Sequence, residues 1–112
     1  MILEKAINDF RANHGRNNAT FNRIVADHCF AHCMAMAQKE EIYHAEQYYR
    51  RDWSEAVAMA SLDIDYENCI RRTIFDDLGR SELHKNIMLN NQELAVACFV
   101  LDYRVFITIR GR

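Results

Sequence analysis

With 112 residues, half of them hydrophobic and 27% charged, the chain suits one soluble globular domain with a single core. A formal charge of −2 and a pI near 6.2 exclude the basic footprint of a nucleic-acid binder. No stretch approaches the roughly 20 apolar residues that cross a bilayer, and Met1–Lys5 lacks a basic region followed by an apolar run. The chain reads as cytoplasmic if complete, and equally as the trimmed mature part of an extracellular protein.

Residues 2–13 predict an amphipathic helix with Ile2, Ala6, Ile7 and Phe10 on one stripe and Gly15 as its stop. Thr20 offers an N-cap for a second helix, where Phe21, Val25, Cys29, Cys33 and Met36 recur at helical spacing to about Glu40. The stretch 42–52 has no clear period. Ser54 to Ala60 reads as a short buried strand. Asp65 caps a helix from Tyr66 to Leu78 that Gly79 ends, and Ser81 opens another through Leu89. Leu94–Val100 and Arg104–Ile109, rich in Val, Ile and Phe, predict an antiparallel hairpin. The order helix, helix, strand, helix, helix, strand, strand gives an α+β class. The doublets Arg50-Arg51 and Arg71-Arg72 read as solvated surface.

Cys29, Cys33, Cys69 and Cys98 all fall in apolar periodic segments, which points to buried free thiols more than to a disulfide framework. His28 and His32 flank the cysteines on the second helix by about 100°, and four ligands on one helix cannot make a tetrahedron, so a metal site there is disfavoured. Ser81 before His84 is more simply a cap than a nucleophile, with no activating acid or oxyanion motif nearby. Tyr43, Tyr48, Tyr49 and Trp53 form an aromatic group that packs beneath a loop or lines a groove.

Three stretches carry the chemistry: Tyr43-His44-Ala45, Ser54-Glu55-Ala56-Val57-Ala58 and Ser81-Glu82-Leu83-His84. Imidazole and carboxylate bind borderline divalent metals and move protons near neutral pH. Glu55 stands in an apolar strand, where an ionised carboxylate is costly unless paired; otherwise it points to solvent from an edge. His84 falls at the third position of its helix, where the N-terminus favours neutral imidazole; the alternative is a solvent-side capping role.

These stretches, with Asn8-Asp9-Phe10-Arg11 and Ala31-His32-Cys33-Met34-Ala35, resemble the CAP superfamily (cysteine-rich secretory proteins, antigen 5 and pathogenesis-related 1 proteins), nearest to its short bacterial members. Asn8 to Arg11 is similar to the opening N-x-x-R, Ser54 to Ala58 to the G-E-N-I-A strand, and Ser81 to His84 to S-P-G-H. The spacing agrees: Glu55 follows His44 by eleven positions, and Glu67 precedes His84 by seventeen. Ser54 and Ala56 depart from the glycine and asparagine of G-E-N, Leu78 stands where tryptophan is common, and Asn86 comes one place early.

The resemblance implies one domain over 1–112, an α-β-α sandwich with a small antiparallel sheet flanked by helices. It implies a central tetrad of His44, Glu55, Glu67 and His84 able to hold zinc or another divalent cation. Glu67 is the least secured by the resemblance, since short bacterial members often lack that glutamate; its alternative role on a first helical turn is to complement the macrodipole. The function implied is a non-catalytic binding module for a cation and a small-molecule, lipid or protein ligand. The rivals are a metal-assisted hydrolase, in which the second glutamate activates water, and an interaction protein whose tetrad is a metal-free hydrogen-bonded network.

Overall fold

In the computed structural model, described for residues 1–46, 53–62 and 65–112, four strands form one sheet in the order β1-β3-β4-β2. Along the chain these are α1 (Ile2–Asn13), β1 (Thr20–Phe21), α2 (Arg23–Lys39), β2 (Ser54–Ser61), α3 (Tyr66–Arg72), α4 (Glu82–Asn90), β3 (Glu93–Leu101) and β4 (Arg104–Gly111). The α+β class and the hairpin stand as expected. The sheet, however, is mixed: β1 pairs parallel with β3 through Thr20 and Phe21, while the other two pairings are antiparallel.

Alternation along the strands sends side chains to two apolar layers, because successive Cβ atoms point to opposite faces. Ala56, Ala58, Leu94, Val96, Val105, Ile107 and Ile109 meet Leu3, Ile7 and Phe10 of α1, Cys69 and Ile70 of α3 and Met88 of α4. Val57, Ala95, Ala97 and Phe106 meet Cys29, Cys33, Met36 and Ala37 of α2. The sheet is thus sandwiched, and among the described residues α2 is the helix that covers this second side. Ile7, Ile70, Ile74 and Ile107 are fully buried, each worth roughly 1.5–3 kcal/mol relative to exposure.

Local chemistry sets the helix ends. Asn22, not Thr20, caps α2: its side-chain oxygen accepts from Val25 N at 2.9 Å. Asp65 caps α3 by accepting from Asn68 N, as its position predicts. Ser81 occupies the cap position of α4 without a side-chain cap bond. The helix begun by α3 widens into a π-helical stretch over Thr73–Leu78, where Thr73 Oγ1 donates to Cys69 O at 2.8 Å. Gly79 follows because space demands it: a Cβ there would collide with the Phe75 carbonyl and lie 2.7 Å from the Phe10 ring. All four cysteines are free thiols. Tyr48, Tyr49, Arg50 and Arg51 lie outside the described residues.

Candidate functional site

His44 sits in the irregular segment after α2, Glu55 on β2 and His84 on the first turn of α4. The fold brings the first two into contact. Glu55 Oε1 accepts from His44 Nδ1 at 2.9 Å and from the Ala45 main-chain N–H at 3.0 Å. The strand register places Arg110 of β4 opposite Glu55, and Arg110 Nε donates to Glu55 Oε2 at 2.8 Å. The Glu55 side chain is 6% exposed and that of Arg110 fully buried, so the cost of a buried carboxylate is met by an opposite charge.

His84 lies within electrostatic reach of His44. Burial first, and the charge of His44 second, hold its pKa below the usual 6.5 and favour the neutral ring. The sequence position predicts neutrality from the helix N-terminus; desolvation and a second imidazole supply it instead. Neutral imidazole is both a metal-ligand form and a proton acceptor.

Glu67 is exposed on the first turn of α3, and no hydrogen bond or ion pair joins it to His44, Glu55 or His84 among the described residues. Among those residues, no three or more His, Cys, Asp or Glu side chains converge as a metal-holding group. What the fold brings together is His44 bonded to Glu55, with His84 near enough to feel the charge of His44. His44 also faces an open cavity of about 1030 Å³, walled by His32, Ala35 and Lys39 of α2 and by Tyr43, Ala45 and Glu46.

Neighbouring residues of interest fall elsewhere. His32 is buried with Nε2 bonded to Tyr43 O at 2.7 Å, and its ring meets Tyr43 edge-on. His28 is exposed. Trp53 takes the Arg112 guanidinium over its ring at 4.6 Å. Motif reading misses Arg110. The available signal is a charged residue in an otherwise apolar strand, the same anomaly that marks Glu55.

No family model matches the sequence, and no curated protein matches it. Solved structures do. An outer surface protein from Borrelia burgdorferi superposes with a TM-score of 0.63 at 15% identity, over 99% of this chain and 90% of that one. Na-ASP-1 gives 0.59 at 12% identity, over 97% of this chain and 37% of its own. A cysteine-rich secretory protein from Staphylococcus aureus gives 0.50 at 12% identity, over 98% and 37%. This chain therefore spans little more than a third of the latter two, both CAP-family proteins. At these identities the likeness is one of architecture: the chain has a CAP-like fold.

Proposed function

We propose that the chain is a binding module whose ligand is taken at the His44–Glu55–His84 cleft, with a divalent cation such as zinc held by the two imidazoles. The observation that carries this reading is the pairing of a neutral, half-buried His84 with a His44 fixed on a buried carboxylate. A metal-ligating histidine ordinarily gives its other ring N–H to a carboxylate, which is the role Glu55 fills here. The residues fit a two-imidazole site rather than a four-ligand cage, so the site is weak by itself and open to a small molecule, lipid or peptide as co-ligand.

The hydrolase reading asks Glu67 to activate water beside the histidines. Glu67 is exposed on α3, whereas His44 and Glu55 are bonded to each other, and that bonded pair supports binding better.

Zinc titrated by calorimetry into chelator-stripped protein tests the proposal. A one-to-one site in wild type, lost in His44→Ala/His84→Ala, is the expected result. A folded wild type that takes up no zinc overturns the cation and leaves an interaction module.

A further inference from the structure

Both oxygens of Glu55 are committed: Oε1 to His44 Nδ1 and Ala45 N, Oε2 to Arg110 Nε. The three side chains differ in freedom. Arg110 is fully buried on a strand, Glu55 is 6% exposed, and His44 is 44% exposed on an irregular segment. The guanidinium is therefore the rigid end of the chain of contacts and the imidazole the adaptable end.

We infer that Arg110 is the positioning residue of the cleft: by holding Glu55 Oε2 it turns Oε1 towards His44 and sets that ring as the Nδ1–H tautomer. An ionised carboxylate only accepts, so the ring nitrogen facing it donates. The lone pair of the neutral ring then lies on Nε2, the nitrogen directed away from Glu55. Arg110 acts through Glu55 and lies outside the three stretches that carry the histidines and the carboxylate. A charge-assisted contact to a buried guanidinium outcompetes neutral donors for a carboxylate oxygen, so Arg110 fixes the rotation of the carboxylate and with it the acceptor that faces the ring. The inference rests on the cleft proposed above, but the tautomer can be read with no cation present.

Long-range proton–nitrogen correlation on the full chain, with isotope-labelled histidine at mildly alkaline pH, locates the ring protons. In wild type the proton of His44 is expected on Nδ1; a proton on Nε2 overturns the inference. Glu55→Gln supplies the sharper test because it leaves a single oxygen. With Arg110 in control, that oxygen goes to the guanidinium, the amide NH₂ faces the ring, and His44 inverts to Nε2–H. Persistence of Nδ1–H in the folded variant means that Arg110 does not decide the arrangement.

Should Glu55→Gln fail to fold, Arg110→Lys decides instead. It keeps the charge and loses the Nε–H, so His44 is expected to populate both tautomers; an unchanged ring overturns the inference. Zinc affinity in Arg110→Lys is expected to fall about 10–100-fold, as for other groups that orient a ligating histidine. A wild type that binds no zinc sinks the cation reading and leaves the tautomer result standing.

Discussion

Arg11 and Met88 meet across the fold: Arg11 Nη1 donates to the Met88 carbonyl at 2.6 Å, tying the end of α1 to the end of α4. The same group donates to Asn91 O at 2.8 Å, and Arg11 Nε to Asn17 O at 2.8 Å. Asn8, one turn earlier, accepts from Ala19 N at 2.9 Å. The Asn8-x-x-Arg11 motif is thus a main-chain clamp, satisfying carbonyls that α4 leaves open at its end. Arg11→Met is expected to lower unfolding free energy in urea by about 3 kcal/mol, since it leaves the buried Met88 carbonyl and the part-buried Asn17 and Asn91 carbonyls without their donor. Arg11→Lys is expected to recover little of that, because an ammonium cannot present the guanidinium's fork. A loss below ~1 kcal/mol would contradict the clamp.

His84 makes stability depend on acidity. Its folded pKa lies below the usual 6.5, so the unfolded chain takes up the proton first as pH falls. Its contribution is therefore full above 6.5 and declines as pH falls from there towards the folded value. His84→Gln is expected to flatten this decline in urea midpoints compared between neutral and mildly acid buffer. His44→Ala is expected to raise the His84 pKa only partway, because burial is the larger cause. An NMR titration placing His84 at or above its usual value would refute the assignment.

Burial pushes the thiols of Cys29 and Cys33 up to about 12. Cys33 Sγ also lies 3.2 Å from Thr108 Oγ1. At mildly alkaline pH neither presents appreciable thiolate, the reactive form. Peptide mapping after iodoacetamide treatment is expected to find both unmodified in native protein, while denatured protein is modified at all four cysteines. Rapid native labelling of Cys33 would contradict the packing of α2 on the sheet.

The hairpin turns on Asp102 and Tyr103, with φ of +51° and +61°. Both lie in the left-handed region, as the twist of a two-residue hairpin loop requires. Holding tyrosine there costs about 1–2 kcal/mol, and the residue is 81% exposed, so little packing is lost on removing its ring. Glycine adds unfolded-state freedom worth about 0.4–1 kcal/mol. Relief of the strain outweighs that cost, so Tyr103→Gly is expected to raise the thermal midpoint, with a gain of about 0.5–1 kcal/mol.

Periodicity and caps made most of the fold legible. The stripe of Ala6, Ile7 and Phe10, the Asp65 cap and the apolar runs on either side of Asp102 all act locally, and each of these elements starts within a residue of its expected place, α3 passing into the π-helical stretch at Thr73. What escaped was non-local. β1 has two residues and exists because Glu93 and Leu94 lie alongside it, so no local period announces it. The π-helical widening keeps helical spacing in sequence and differs only in its bonding. At the site, Glu55 bonds both His44 and Arg110, and Arg110 lies in none of the three motif stretches. Its place follows from which strand lies beside which, since β4 pairs with β2 on one side and with β3 on the other.

The pairing of Glu55 with a residue 55 positions later has a consequence for synthesis. In the sheet order β2 has only β4 as a neighbour, so the segment Ser54–Ser61 leaves the ribosome well before its partner exists. During that interval a run of alanine, valine and methionine, with one unmatched carboxylate, is available to other chains. Nascent strands of this kind are prone to misassembly. A negative charge within such a run disfavours that association, and at Glu55 it is matched once Arg110 pairs with it. The ion pair forms only when β4 pairs with β2, and so marks the closing of the sheet.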